Sequence, residues 1–348
     1  MRRLKNILIL LFLSLVSVPL GAQDLDMEEY IFGHIGDAYE WHITTVNGHT
    51  LALPLPVIVH SKTSGWHIFS FRHIEEEGEY QGFRIAGKGE PHEGKIVEQQ
   101  ADGTIVKPLD LSITKNVFSL MISSVLLVVL VLLAARWYRK HDAMEEVPKG
   151  FTGMVEMVVM MIQDDVIKEC VGKDYKRYSP YLLTAFFFIL FNNLMGIVPF
   201  FPGGANLTGN IAISFCLAMF TFLAVNLFGN KDYYKDIFWP EVPAWLKIPL
   251  PIMPVIELIG VFTKPFSLMI RLFANILAGH IMLLGVVAVI FLTAKMGAGL
   301  NAGLSVIAVL FGIFMDLLEF LVAFLQAYVF TMLSSVFIGL SRKEAEAK

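Results

Sequence analysis

PVIELIGVFTKPFSLMIRLFANILAGHIMLLGVVAVIFLT, residues 254–293, runs for forty residues with only Glu257, Lys264 and Arg271 as formal charges. As a helix rising about 1.5 Å per residue it would reach roughly 60 Å, about twice the ~30 Å core of a bilayer. A second apolar run, 304–340, is nearly as long, and Lys295-Met296-Gly297-Ala298-Gly299 between them predicts a tight turn. The two runs therefore predict a hairpin of membrane helices that tilt strongly or break.

The rest of the chain agrees with a membrane solvent. Of 348 residues, 55% are hydrophobic and 17% charged, against about 25% charged in an average soluble domain, and the mean hydropathy is +0.63. This excludes a soluble protein. A net charge of -4, with no basic cluster interleaved with aromatics, excludes a nucleic-acid binder. Further spans are predicted at 117–135, 181–200 and 211–228, giving five with 254–293 and 304–340. Arg136, Arg139 and Lys140 after the first span, and Lys231, Lys235 and Lys247 after the third, mark those sides as cytoplasmic. The C-terminus is then cytoplasmic. Residues 151–171 are apolar but carry Glu156, Asp164, Asp165 and Lys168, the pattern of an interfacial amphipathic helix.

Ahead of residue 116 the composition changes twice. Residues 1–22 read as a secretory signal, with Arg2, Arg3 and Lys5, then apolar Ile7 to Val18, then a small-residue exit at Ala22; an uncleaved anchor is the alternative. Residues 23–115 hold 15 Asp plus Glu against 7 Lys plus Arg. Alternating runs flank Asn47-Gly48 and Asp102-Gly103, both hairpin-turn dipeptides, so this stretch predicts a small β-rich module outside the membrane. The expected fold is thus an all-α polytopic membrane protein, its membrane domain at 116–348, carrying a β-rich N-terminal module. Seven of nine histidines (His34, His42, His49, His60, His67, His73 and His92) fall in that module without a metal-ligand spacing. They are surface or β-face histidines, or else they help an acidic module collect protons. Cys170 and Cys216, 46 positions apart in apolar surroundings, read as buried inert thiols.

The long hairpin concentrates polar groups: Glu257, Lys264, Arg271, Asn275, His280, Asp316, Glu319 and Gln326. A charge at mid-bilayer costs roughly 2.5–3.5 kcal/mol on insertion scales, so the default reading is an ion pathway. Glu257, Lys264 and Arg271 recur every seven residues and share one helix face. His280, nine residues past Arg271, points to the opposite side. On the second helix Asp316, Glu319 and Gln326 share a face. In an antiparallel hairpin the indices of facing residues add to a constant, and the pairs Arg271 with Gln326 and His280 with Glu319 share nearly the same constant, centred on the predicted turn. Arg271 is therefore expected near Gln326, and His280 near Glu319.

The stretch Lys264-Pro265-Phe266-Ser267-Leu268-Met269-Ile270-Arg271-Leu272-Phe273-Ala274-Asn275-Ile276-Leu277-Ala278-Gly279-His280 resembles the signature helix of subunit a of the ATP synthase membrane sector. Asn192-Asn193-Leu194-Met195-Gly196-Ile197-Val198-Pro199 and Leu325-Gln326-Ala327-Tyr328-Val329-Phe330 extend the resemblance over roughly 116–340. It implies a stator subunit of the cell inner membrane, working with a ring of c subunits, b-type peripheral stalk subunits and membrane lipid, and needing no cofactor. By the same resemblance Arg271 separates two aqueous half-channels and faces the ring carboxylates. A carboxylate about 4 Å from a fixed guanidinium, at an effective dielectric near 20, gains roughly 4 kcal/mol as the anion and so releases its proton there. The resemblance assigns His280 and Glu319, exchanged relative to some members, to the outer half-channel, and Glu257 and Lys264 to the inner one. Gly196 stands where some members place an acid, so the outer path would lean on Asn192, Asn193 and water. Asp316 is either a solvated position or a channel lining, and the two asparagines serve either the path or helix packing.

Two other functions compete. An independent ion-coupled secondary transporter would also bury charges, but matching repeats with broken helices are not evident. An intramembrane metalloenzyme would need an H-E-x-x-H pair, which is not present, and no phosphate-binding G-x-x-x-x-G-K-[ST] loop supports nucleotide chemistry.

Overall fold

The computed structural model describes residues 36–46, 49–100, 104–142, 146–198, 203–239, 252–293 and 298–342. Two compact units divide the chain. One comprises 35–280 with 316–348, the other 281–315 with the N-terminal 1–34. The first 35 residues, and so the signal reading, lie outside the described residues, as do Asn47-Gly48, Asp102-Gly103 and 294–297.

In the larger unit, alternating sequence makes nine strands among the described residues. β1 (Glu40–Val46) and β2 (His49–Pro54) pair antiparallel with Val46 opposite His49. β3 (Pro56–Ser61), β4 (Gly65–Ser70) and, after a short helix α1 (Arg72–Glu77), β5 (Glu79–Tyr80), β6 (Phe83–Ile85), β7 (Ile96–Gln99), β8 (Ile105–Val106) and β9 (Leu109–Asp110) follow. They form a three-stranded sheet in the order β4-β3-β9 and a four-stranded one in the order β5-β6-β7-β8. β3, β4, β6 and β7 give Val57, Val59, Phe69, Phe83 and Ile96 to a core completed by Tyr39 and by Ile74 of α1. The period-two alternation is what lets strands this short bury anything.

Leaving the last strand, the chain passes straight into α2 (Lys115–Tyr138). Backbone bonds from Lys115 N–H to Ala38 (2.8 Å) and from Asn116 N–H to the Asp37 carboxylate (3.0 Å) fasten the β region to the start of this helix. Trp41 meets Phe118 edge-on at 6.0 Å. α3 (Phe151–Met160) continues into a π-helical stretch, Met161–Lys168. There Ile162, Val166 and Ile167 are buried, while Asp164 and Lys168 form an exposed i,i+4 pair at 4.0 Å. The wider π turn was not legible in the sequence pattern.

α4 (Tyr175–Ile197) starts six residues before the expected 181, carrying Pro180 within it, and stops three residues before 200. Val198 is extended (ψ 115°), as the residue before a proline must be. α5 (Ile211–Leu227) and α6 (Lys231–Phe238) meet at a 99° bend. α7 (Ile252–Thr293) and α8 (Ala298–Arg342) are the two long helices, of 42 and 45 residues. Ala298 and Gly299 lie inside α8, which begins six residues earlier than expected. Among the described residues, four helical runs are long and apolar enough to cross a membrane, or five if the bent pair counts as one span.

Interhelix polar bonds tie the larger unit together. Tyr181 OH and Thr221 Oγ1 lie 2.9 Å apart, and Thr221 is 3.1 Å from Ser334, so α4, α5 and α8 share one hydroxyl cluster. Arg342 donates through Nε to Asp174 (2.7 Å) and through Nη1 to the Phe228 carbonyl (3.0 Å), clamping the end of α8 onto the start of α4 and the α5–α6 bend. Gly339 has no side chain because the Cys170 carbonyl oxygen would lie 2.0 Å from its Cβ. In the smaller unit, Thr293 Oγ1 donates to Asn301 Oδ1 (2.9 Å) across the hairpin.

Candidate functional site

α7 packs through Leu268, Met269, Leu272 and Ile276, a three-four spacing that defines one buried stripe. Arg271 and Asn275 lie off that stripe and are exposed. Among the described residues Arg271 makes no ion pair or hydrogen bond. One and a half turns past Asn275, His280 lies 3.0 Å through Nδ1 from Glu319 Oε1, with side chains only 15% and 7% exposed. His280 and Glu319 thus meet at the height their hairpin register predicts.

Two glycines make the room. A Cβ at Gly279 would sit 3.4 Å from Glu319 Oε1, and one at Gly196 on α4 would sit 3.5 Å from His280 Nε2. Any side chain longer than a methyl at either position would meet the pair directly. Sequence reading noted Gly196 only as a missing acid, and its contact with His280 carried no sequence signal.

Asn193 holds the neighbouring wall. Its Nδ2 donates to the Ala323 carbonyl of α8 (3.1 Å), one turn beyond Glu319, while its Oδ1 accepts from Thr208 Oγ1 (2.5 Å). Ser214 in turn donates to the Thr208 carbonyl (2.6 Å). Both ends of the Asn193 amide are thus used in packing α4, α8 and the 203–210 loop. Asn192 donates to the Phe188 carbonyl of its own helix, and its buried Oδ1 has no partner among the described residues. The loop's Asn206-Leu207-Thr208-Gly209-Asn210 is a turn-and-cap signal that could have announced Thr208: Asn206 Oδ1 accepts from Gly209 N–H, and Asn210 Oδ1 caps α5 at Ala212 N–H.

The other expected pair shows no bond among the described residues. Gln326 is buried on the α8 face it shares with Glu319, Ala323, Ala327 and Phe330, but it makes no hydrogen bond to Arg271. A hairpin register fixes height and leaves azimuth free. With His280 turned toward Glu319, a residue nine positions earlier must point away. Asp316 is exposed one turn before Glu319 and stays outside the pair. Glu257 and Lys264 are half-buried. Lys264 Nζ stands 5.9 Å over the Phe337 ring in a cleft shared with Asn226 and Tyr233. The two thiols are not buried as expected: Cys170 is half-buried and Cys216 exposed on α5, since an apolar neighbourhood in a membrane helix marks the lipid side as readily as the core.

An exposed arginine on one face of a long membrane helix, a buried imidazole–carboxylate pair on the other, and the Asn193 wall all lie in the stretch that matches known proteins. A family model described as ATP synthase A chain matches residues 118–339. The chain belongs to the ATP synthase A chain family. It is 38% identical over 301 residues to ATP synthase subunit a of Chlorobium phaeobacteroides, covering 82% of this chain and 83% of that one. It is 43% identical over 238 residues to the subunit a of Pelodictyon phaeoclathratiforme (67% and 66% covered) and 39% identical over 240 residues to that of Myxococcus xanthus (67% and 74%). A second model, a domain of unknown function (DUF8433), matches residues 30–115. The A chain match and the β strands thus occupy separate stretches of the chain.

Proposed function

We infer that this chain is the membrane-sector stator subunit of an ATP synthase and that it carries protons to and from a rotating partner through Arg271 and the His280–Glu319 pair. The stator role follows from family membership. The observation that supports the residue assignment is the contrast on α7 between an exposed, unpaired guanidinium and a buried pair nine residues on. A guanidinium that keeps its charge at every working pH, presented outward, is suited to meet a carboxylate on another subunit and strip its proton. Once past Arg271, that carboxylate reloads from the second half-channel. Each proton contributes roughly 2.3 kcal/mol per 100 mV of membrane potential.

His280 and Glu319 serve as the relay of the outer half-channel, since a paired imidazole and carboxyl can pass one proton between them without leaving a bare charge. Glu257 and Lys264, on the first turns of α7, line the inner half-channel. Five spans, with the α5–α6 pair counted as one, together with Arg136, Arg139 and Lys140 after the first, support a cytoplasmic C-terminus with residues 23–115 outside. The partners are a c ring facing Arg271 and b-type stalk subunits. ATP-driven acidification of inverted membrane vesicles tests the reading: with complex assembly verified, Arg271→Ala should bring pumping to background. Wild-type pumping by that variant would return the chain to the class of independent transporters.

A further inference from the structure

The β4-β3-β9 sheet has an outward face that soluble sheets do not show. Strand register fixes its members. Opposite residues of antiparallel strands point the same way, so His60, Trp66 and Leu109 form one row. Ile58 and Ile68 form the next, joined by Leu111, whose N–H donates to the Ile58 carbonyl (2.9 Å). Pro56, Ser70 and Ile113 form the third, through the Ile113 N–H bond to the Pro56 carbonyl (3.1 Å). The opposite face carries Val57, Val59 and Phe69 into the core. On the outward face Trp66 is 59% exposed, Ile68 73%, Leu109 58% and Leu111 55%.

None of these nine positions is Asp, Glu, Lys or Arg, although residues 23–115 carry 15 acids and 7 bases. A charge-free apolar face of this size marks a contact surface. Its place in the chain says what it contacts. The third row lies two residues before α2, and beyond Thr114-Lys115-Asn116 exposed apolar side chains resume at Val117 and recur at Met121, Val125, Val128 and Leu132 along that helix. The bonds from Lys115 and Asn116 to Ala38 and Asp37 hold the sheet at this end of the helix. Tryptophan, which sits here with His60 edge-on at 4.8 Å, favours the boundary between headgroups and acyl chains.

We propose that the charge-free face of the β4-β3-β9 sheet, centred on Ile58, Trp66, Ile68, Leu109 and Leu111, rests on the bilayer surface at the N-terminal end of α2, with Trp66 inserted at the lipid interface. The contact anchors the N-terminal module against the membrane. Because the module is acidic, the contact works through apolar insertion rather than attraction to anionic headgroups. It rests on α2 being a membrane span, on whichever side its N-terminus lies.

The test reconstitutes the full chain into phosphatidylcholine vesicles with or without brominated acyl chains and compares tryptophan fluorescence of wild type with Trp66→Phe. Because Trp66 is exposed, its replacement by Phe leaves the module core untouched. The Trp66 component, taken as the difference, should be quenched at least about twofold by brominated lipid. Aqueous iodide should reach it only weakly, and substituting phosphatidylglycerol for part of the lipid should not strengthen the effect. Quenching by iodide and not by brominated lipid would show the face in water and overturn the proposal. Protection from both quenchers would show it covered by protein, a second copy included, and would equally overturn it. A Val128→Trp variant separates the premise: if that tryptophan is quenched by brominated lipid and Trp66 is not, α2 spans and the surface contact is wrong; if neither is quenched, the span itself fails.

Discussion

Arg271 and His280 stand nine residues apart on one helix in opposite surroundings. Arg271 is exposed and, among the described residues, bonded to nothing, while His280 is packed beneath Gly196 and paired with Glu319 at 3.0 Å. A guanidinium left without a partner inside its own chain is costly in a membrane unless another subunit supplies one. A buried pair is self-contained and depends on its surroundings staying closed. The first arrangement suits a gate between subunits, and the second suits a relay within one. They lie about two and a half helical turns apart along the axis and half a turn apart around it.

Breaking the buried side should have a large effect. His280→Ala leaves the Glu319 carboxyl buried without its partner, and losing one half of such a pair costs about 3–5 kcal/mol. Loss of a proton-passing side chain lowers flux by roughly 100-fold where that step limits. The check is ATP-driven pumping per assembled complex. An undiminished rate would show the pair to be structural only.

A smaller effect is expected at the wall behind the pair. Asn193→Leu keeps the volume but strands the Ala323 carbonyl and Thr208, at about 1–3 kcal/mol. Thermal stability of the assembled complex in detergent should fall, while pumping per surviving complex stays within about twofold. If pumping collapses with stability intact, Asn193 belongs to the path itself.

The smallest effect lies far from α7 and provides a reference for it. Burial first, and the Asp110 carboxylate accepting its hydroxyl hydrogen second, push the Tyr39 phenol above its ordinary value of 10.0. With the folded value raised, the contribution to stability is complete below pH 10 and is lost as pH rises beyond it. Once the intrinsic base-catalysed rate is divided out, the protection of β3 and β7 amides should therefore fall above pH 10 in wild type. Tyr39→Phe should remove that dependence while pumping at neutral pH is unchanged.

The sequence disclosed heights better than directions. Seven-residue spacing and a constant index sum located His280 against Glu319, because a hairpin with one turn fixes axial register. The same arithmetic put Arg271 near Gln326, where no hydrogen bond joins the two among the described residues, because azimuth depends on which stripe packs, here Leu268, Met269, Leu272 and Ile276. Helix ends differ from the expected ones by three to six residues: α4 runs through Pro180 and stops short of Pro199, and α8 takes in Ala298 and Gly299. Alternation announced strands around Asn47-Gly48, yet period two says which residues share a face and not whether that face is covered. The row of Trp66, His60 and Leu109 emerged only from strand register. The Gly196–His280 contact joins residues 84 positions apart and was equally invisible.

Passive proton conduction through the membrane sector, measured in vesicles stripped of the catalytic head, sets the two faces of α7 directly against each other. With assembly verified, Arg271→Ala should raise conduction above wild type, because nothing then separates the half-channels, whereas His280→Ala should lower it by narrowing the supply to one of them. Changes of the same sign in both variants, or no change at Arg271, would contradict the division into gate and relay.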